Sequence, residues 1–115
     1  MEYADIFADG SKITIIFKEV TLNDKRKTNE LVKRYKQLIL ENTNIRLVVD
    51  CSRLISVNRS IAFLAVKNLR KFEDANTHRF VDKTFVITKP GLRILANLIM
   101  KCFPPVVKTT IVSRL

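Results

Sequence analysis

The chain has 115 residues, 47% of them apolar, with only 2 Gly and 3 Pro, a composition that excludes a disordered or fibrous polymer. No apolar run reaches the roughly 18–20 residues that a bilayer-spanning helix needs. The formal net charge of +10, from 21 Lys and Arg against 11 Asp and Glu, favours an anionic partner or serves solubility alone.

Two short apolar segments, Tyr3 to Phe7 and Ile13 to Phe17, flank Asp9-Gly10-Ser11. Glycine accepts positive φ without a steric penalty, so an Asp-Gly turn and an antiparallel hairpin are expected. In Lys12-Ile13-Thr14-Ile15-Ile16-Phe17 the alternation is incomplete, which predicts cover on both faces of that strand. The polar stretch Glu19 to Asp24 offers Thr21 and Asn23 as helix caps. The helix that follows has one face made of Leu31, Val32, Tyr35, Leu38 and Ile39, and it ends at Asn42-Thr43-Asn44, residues that tolerate left-handed geometry.

The stretch from Asn44 to Phe72 carries the plan of the chain. Ile45 to Val49 is a β-branched and apolar run of strand length. After a polar loop, Ile61, Leu64, Ala65, Leu69 and Phe72 recur at helical spacing, with Ser56 or Asn58 as the cap. Glu73 to Thr77 reads as a polar turn that ends this second helix. Lys83 to Thr88, centred on Phe85-Val86-Ile87, is a further strand. Thr88 stands where it would cap a third helix, with Pro90 in the first turn, where proline is tolerated. Leu92, Leu95, Ala96, Leu98, Ile99, Met100 and Cys102 make that helix apolar nearly all round, so it is either central or presents a docking patch. Pro104-Pro105 stops it, and Val106 to Val112 is the last strand. The order β-β-α-β-α-β-α-β describes an α/β fold with a mixed sheet of four to five strands and three helices, one domain over residues 1–115.

This order, with Leu47-Val48-Val49-Asp50-Cys51-Ser52-Arg53-Leu54 as its central strand, a helix beginning near Ser60, and Phe85-Val86-Ile87 before a helix that starts close to a proline, resembles the STAS domain. That family includes bacterial anti-sigma-factor antagonists and the cytoplasmic tails of sulfate transporters. Its switchable members carry Asp-Ser-Ser-Gly, or a close variant, at the start of the second helix. Here the stretch is Val57-Asn58-Arg59-Ser60-Ile61-Ala62. Ser60 is the nearest match to the phosphorylated serine, Arg59 replaces the acid, and the glycine is absent. The resemblance therefore implies protein–protein recognition, with a partner or with copies of itself, more directly than it implies a phosphorylation switch at Ser60.

In open α/β sheets, ligands sit outside the carboxyl ends of parallel strands. Two loops, Cys51 to Asn58 and Thr88 to Gly91, would form that edge, and both lead into helix N-termini, whose free N–H groups suit an anion. The residues expected there are Arg53, Arg59, Lys89 and Arg93 as cations, and Ser56, Asn58, Ser60 and Thr88 as neutral donors or caps. Asp50 lacks the second group that acid–base catalysis needs and is expected to order its own loop. Cys51 and Cys102 form no CxxC pair, and the opening Met1-Glu2-Tyr3-Ala4-Asp5 lacks a leader's basic flank and apolar block. Buried thiols in the cytoplasm or another reducing compartment are expected. His78 has no metal partner near it in sequence, and no cofactor motif occurs. A non-catalytic interaction domain is thus expected. The alternative is a basic accessory protein that attaches electrostatically to nucleic acid or an anionic membrane surface, through Lys25, Arg26, Lys27, Lys33, Arg34 and Lys36 on the first helix.

Overall fold

Each turn from strand to helix follows from where the apolar residues stop. In a computed structural model that describes residues 1–114, the chain runs β1 (Ala4–Asp9), β2 (Lys12–Phe17), β3 (Thr21–Leu22), α1 (Lys25–Leu40), β4 (Ile45–Asp50), β5 (Ser56–Val57), α2 (Arg59–Ala75), a 3₁₀ turn (Thr77–Arg79), β6 (Phe80–Val86), α3 (Pro90–Cys102) and β7 (Thr109–Val112). The main sheet has five strands in the order β1-β2-β4-β6-β7, with β1 antiparallel to β2 and the other pairs parallel. The fold is α/β, with three helices and a mixed sheet. β3 and β5, too short to be read in the sequence, form a separate parallel pair.

The β1–β2 hairpin turns on Gly10-Ser11, one residue later than Asp9-Gly10. Asp9 and Lys12 are the last pair, and Gly10 has φ 61 while Ser11 does not enter the left-handed region, as a glycine in the first central position of a type II′ turn requires.

From β2 onward each crossover moves one strand further in the same direction. With right-handed connections, α1, α2 and α3 all land on one face of the sheet. That face supplies the core. Ile13, Ile15 and Phe17 of β2 and Ile45, Leu47 and Val49 of β4 are buried against Leu31, Tyr35, Leu38 and Ile39 of α1. Among the described residues, no helix covers the opposite face. Thr14, Ile16, Val48 and Thr84 are only half-buried there, and Phe7 is exposed. The expectation that β2 is covered on both faces is therefore corrected: its incomplete alternation reflects an apolar residue, Ile16, on an open face.

The helix ends also differ in detail from the sequence reading. Asp24, rather than Thr21 or Asn23, caps α1 by accepting from the Lys27 amide at 3.2 Å. Asn44 does take the left-handed conformation, with φ 53. At the C-terminal end of α1, Arg79 donates to the carbonyls of Leu40 and Asn42 at 3.2 and 3.1 Å, supplying partners for acceptors that a helix end leaves open. α2 ends at Ala75, inside the predicted turn Glu73 to Thr77, whose first three residues are still helix, and its buried face passes through Ala62, Leu69 and Glu73 while Leu64 is 51% exposed. β7 begins at Thr109 instead of Val106, and β6 begins at Phe80 instead of Lys83.

Candidate functional site

The two loops at the carboxyl edge do meet. Asp50, at the end of β4, accepts the Ser52 amide at 2.9 Å and turns the chain. The loop then rises to pair β5 with β3, where the Ser56 hydroxyl donates to Thr21 Oγ1 at 3.1 Å. Asn58 caps α2 by accepting the Ile61 amide at 3.2 Å. From the other loop, the Lys89 ammonium donates to the Leu54 carbonyl at 2.6 Å and to the Ser52 carbonyl at 3.3 Å. A charge-assisted pair of this length ties the start of α3 to the loop before α2. The two helix starts thus share one rim.

The predicted rim residues divide into those engaged within the fold and those facing out. Ser56, Asn58 and Lys89 are occupied by the bonds just given. Arg53, Arg59, Ser60 and Thr88 are exposed, and Arg93 is half-buried. Thr88 does not cap α3, contrary to expectation. Lys89 is the N-cap residue and makes no side-chain cap, with Pro90 following in the first turn. Ile55, which the sequence reading passed over, is 57% exposed in the same loop, and Ile94 on α3 is 70% exposed. The rim therefore combines arginines with bare apolar side chains.

The basic charge on α1 is partly spent within the chain. Lys27 bonds Glu2 at 2.7 Å, which holds its ammonium above the ordinary range, and Arg26 lies 4.0 Å from Glu30. Lys36 sits over the Phe72 ring. Among the described residues, no helix is long and apolar enough to cross a membrane, and no group of three His, Cys, Asp or Glu could hold a metal ion.

Cys51 is buried under the rim. Burial first, and the Asp50 carboxylate second, push its thiol up from 9.0 to about 12. Cys102 is exposed. At pH 8 a disulfide reagent is expected to label one thiol per folded chain, at Cys102, and a second only in denaturant. Rapid labelling of Cys51 in the folded chain would contradict its burial. The same shift fixes a pH dependence. Above about pH 9 the unfolded thiol ionises while the native one stays protonated, so stability falls from there until the native thiol also ionises near 12.

Two features of the interior were not anticipated. Glu73 of α2 is 4% exposed, although it reads as a turn residue in sequence. The Lys83 ammonium lies 2.8 Å from each of its carboxylate oxygens, and the Tyr35 phenol donates to Oε1 at 2.8 Å. Burial and then the Glu73 charge hold the Tyr35 phenol well above its ordinary range. The signal was present in register: Leu69 and Glu73 are four apart on one helix face, and Lys83 alternates with the inward Phe85. The second feature is a cavity of about 270 Å³ between the sheet and the helices, with Leu47, Val49, Ala65, Ala96, Ile99 and Ile111 among its almost wholly apolar walls. No spacing in the sequence reports a gap between packed elements.

No protein-family model matches the chain, and no curated protein matches it in sequence.

Proposed function

We propose that the chain is a non-catalytic interaction domain of STAS-like kind. It binds a protein partner, or a second copy of itself, through the rim at the starts of α2 and α3 and the adjoining outer face of α3. The observation that carries this reading is the Lys89 clamp, which holds the loop before α2 against the start of α3. It ties the loop that carries exposed Arg53 and Ile55 to the start of the helix that bears Arg93 and Ile94. Arginine beside exposed apolar side chains is the composition of recognition surfaces, and helix N-termini add positive potential toward an acidic partner. The element order and the placement of Ser60 in the first turn of α2 support the STAS-like assignment. The domain works in the cytoplasm or another reducing compartment, where its two free cysteines remain thiols.

The test compares two charge reversals of equal size. A labelled acidic peptide rich in Glu and Leu is titrated into the wild type, Arg59→Glu/Arg93→Glu, and Lys25→Glu/Lys33→Glu. Affinity is expected to fall at least tenfold for the rim variant and to change less than threefold for the α1 variant. Sedimentation of the wild type and Ile94→Asp tests self-association through the same surface. Parallel titrations use duplex DNA and anionic vesicles. Tighter binding of either, with a steep salt dependence that the α1 variant removes, would favour the electrostatic accessory role and sink the proposal.

A further inference from the structure

We infer that the cavity beneath α2 and α3 binds the hydrocarbon tail of a single-chain carboxylate, a medium-chain fatty acid or an acid of that shape, with the head group on Arg70. The inference stands independently of the rim.

The size and lining of the cavity set the ligand's body. Its volume of about 270 Å³ exceeds the roughly 150 Å³ of an engineered apolar cavity that takes up benzene. Polar side chains that reach it, Arg70 at its edge apart, already have partners. Glu73 is saturated by Lys83 and Tyr35, and the Thr109 hydroxyl donates to the Val107 carbonyl at 2.8 Å. Such walls offer nothing to a charged or hydrogen-bonding body and hold ordered water poorly. Ala65 on α2 and Ala96 on α3 leave room where longer side chains would close the space.

The edge of the cavity sets the head group. α2 and α3 are joined across it by an edge-on contact between Phe63 and Phe103, with centroids 6.0 Å apart, and by Arg70, whose Nε donates to the Pro104 carbonyl at 2.8 Å. Arg70 is half-buried and lines the cavity. Among the described residues it forms no ion pair, so its two terminal nitrogens are available in a fork that matches a carboxylate. A guanidinium at the edge and hydrocarbon walls behind it correspond to the two ends of an amphiphile.

Decanoate, below its micellar concentration, is titrated calorimetrically into the full chain, with 1-decanol as the neutral probe of equal length. One decanoate per chain is expected. Ala96→Phe, which fills the cavity, should weaken binding at least tenfold without lowering the melting temperature. Arg70→Gln should weaken decanoate about tenfold and decanol less than twofold. If Ala96→Phe does not fold, nuclear Overhauser contacts in the wild type between decanoate methylenes and the methyls of Leu47, Ile99 and Ile111 read the same point. Absence of binding to the folded chain, or undiminished binding to folded Ala96→Phe, would overturn the inference, as would binding of many decanoates per chain or contacts confined to surface methyls. Equal weakening of decanoate and decanol by Arg70→Gln would overturn the head-group assignment.

Discussion

Replacing Glu73 by Ala is expected to destabilise the chain by about 3–5 kcal/mol, because it leaves the Lys83 ammonium inside without a counter-charge. The Lys83 side chain is 11% exposed and that of Glu73 5%, so water cannot take over for the missing partner. Tyr35 loses its acceptor at the same time, which adds the cost of an unpaired buried hydroxyl. The measurement is urea unfolding at pH 7, read as a shift of midpoint at constant slope. Removing all three polar groups together, as Tyr35→Phe, Glu73→Met and Lys83→Met, is expected to recover most of the loss, since a buried ion pair gains little over apolar residues of similar volume. A loss below about 1 kcal/mol for Glu73→Ala would mean that solvent reaches the network, in conflict with its burial.

The second large effect separates two adjacent isoleucines. Ile15 and Ile16 are chemically identical neighbours on β2, but the strand turns Ile15 toward the helices and Ile16 toward the open face. Ile15→Ala is expected to cost about 2–5 kcal/mol, the range for truncating a buried aliphatic side chain. Ile16→Ala, at a half-buried position, should cost about 1 kcal/mol. Both are read from the same unfolding experiment. Equal costs would show that something also covers the other face, and the one-sided arrangement of helices would have to be abandoned.

This contrast also shows where pattern reading stops. Ile15-Ile16 looks like a doubly buried strand because period-2 alternation is lost. Ile16 nevertheless sits on the open face, only half-buried, opposite Asp5 of β1 and Asp50 of β4. Leu64 misled in the same way. It fits a helical repeat with Ile61 and Ala65, yet the stripe of α2 that meets the core runs through Ala62, Leu69, Phe72 and Glu73 and leaves Leu64 outside. Small alanines carry little weight in a hydrophobic pattern, although they mark where a helix approaches a sheet most closely. Of the rim, the position of the loops and Asn58 as a cap were legible, since both depend on local chemistry. Lys89 read as a free cation because its acceptors, the carbonyls of Ser52 and Leu54, are more than thirty residues away in sequence.

What the sequence by itself determined is the alternation of elements. Apolar periodicity, Asn58 before α2, Gly10 at the hairpin and Pro104-Pro105 after α3 act within a few residues, and they suffice for the order of the three helices and the five strands of the main sheet and for an α/β fold. Only the tertiary structure decided which face of each element is covered, how an acid and a base read as turn and strand residues become a buried pair, and that the helices leave a cavity over the sheet. Those outcomes depend on contacts between segments far apart in the chain, whose energies no local spacing encodes.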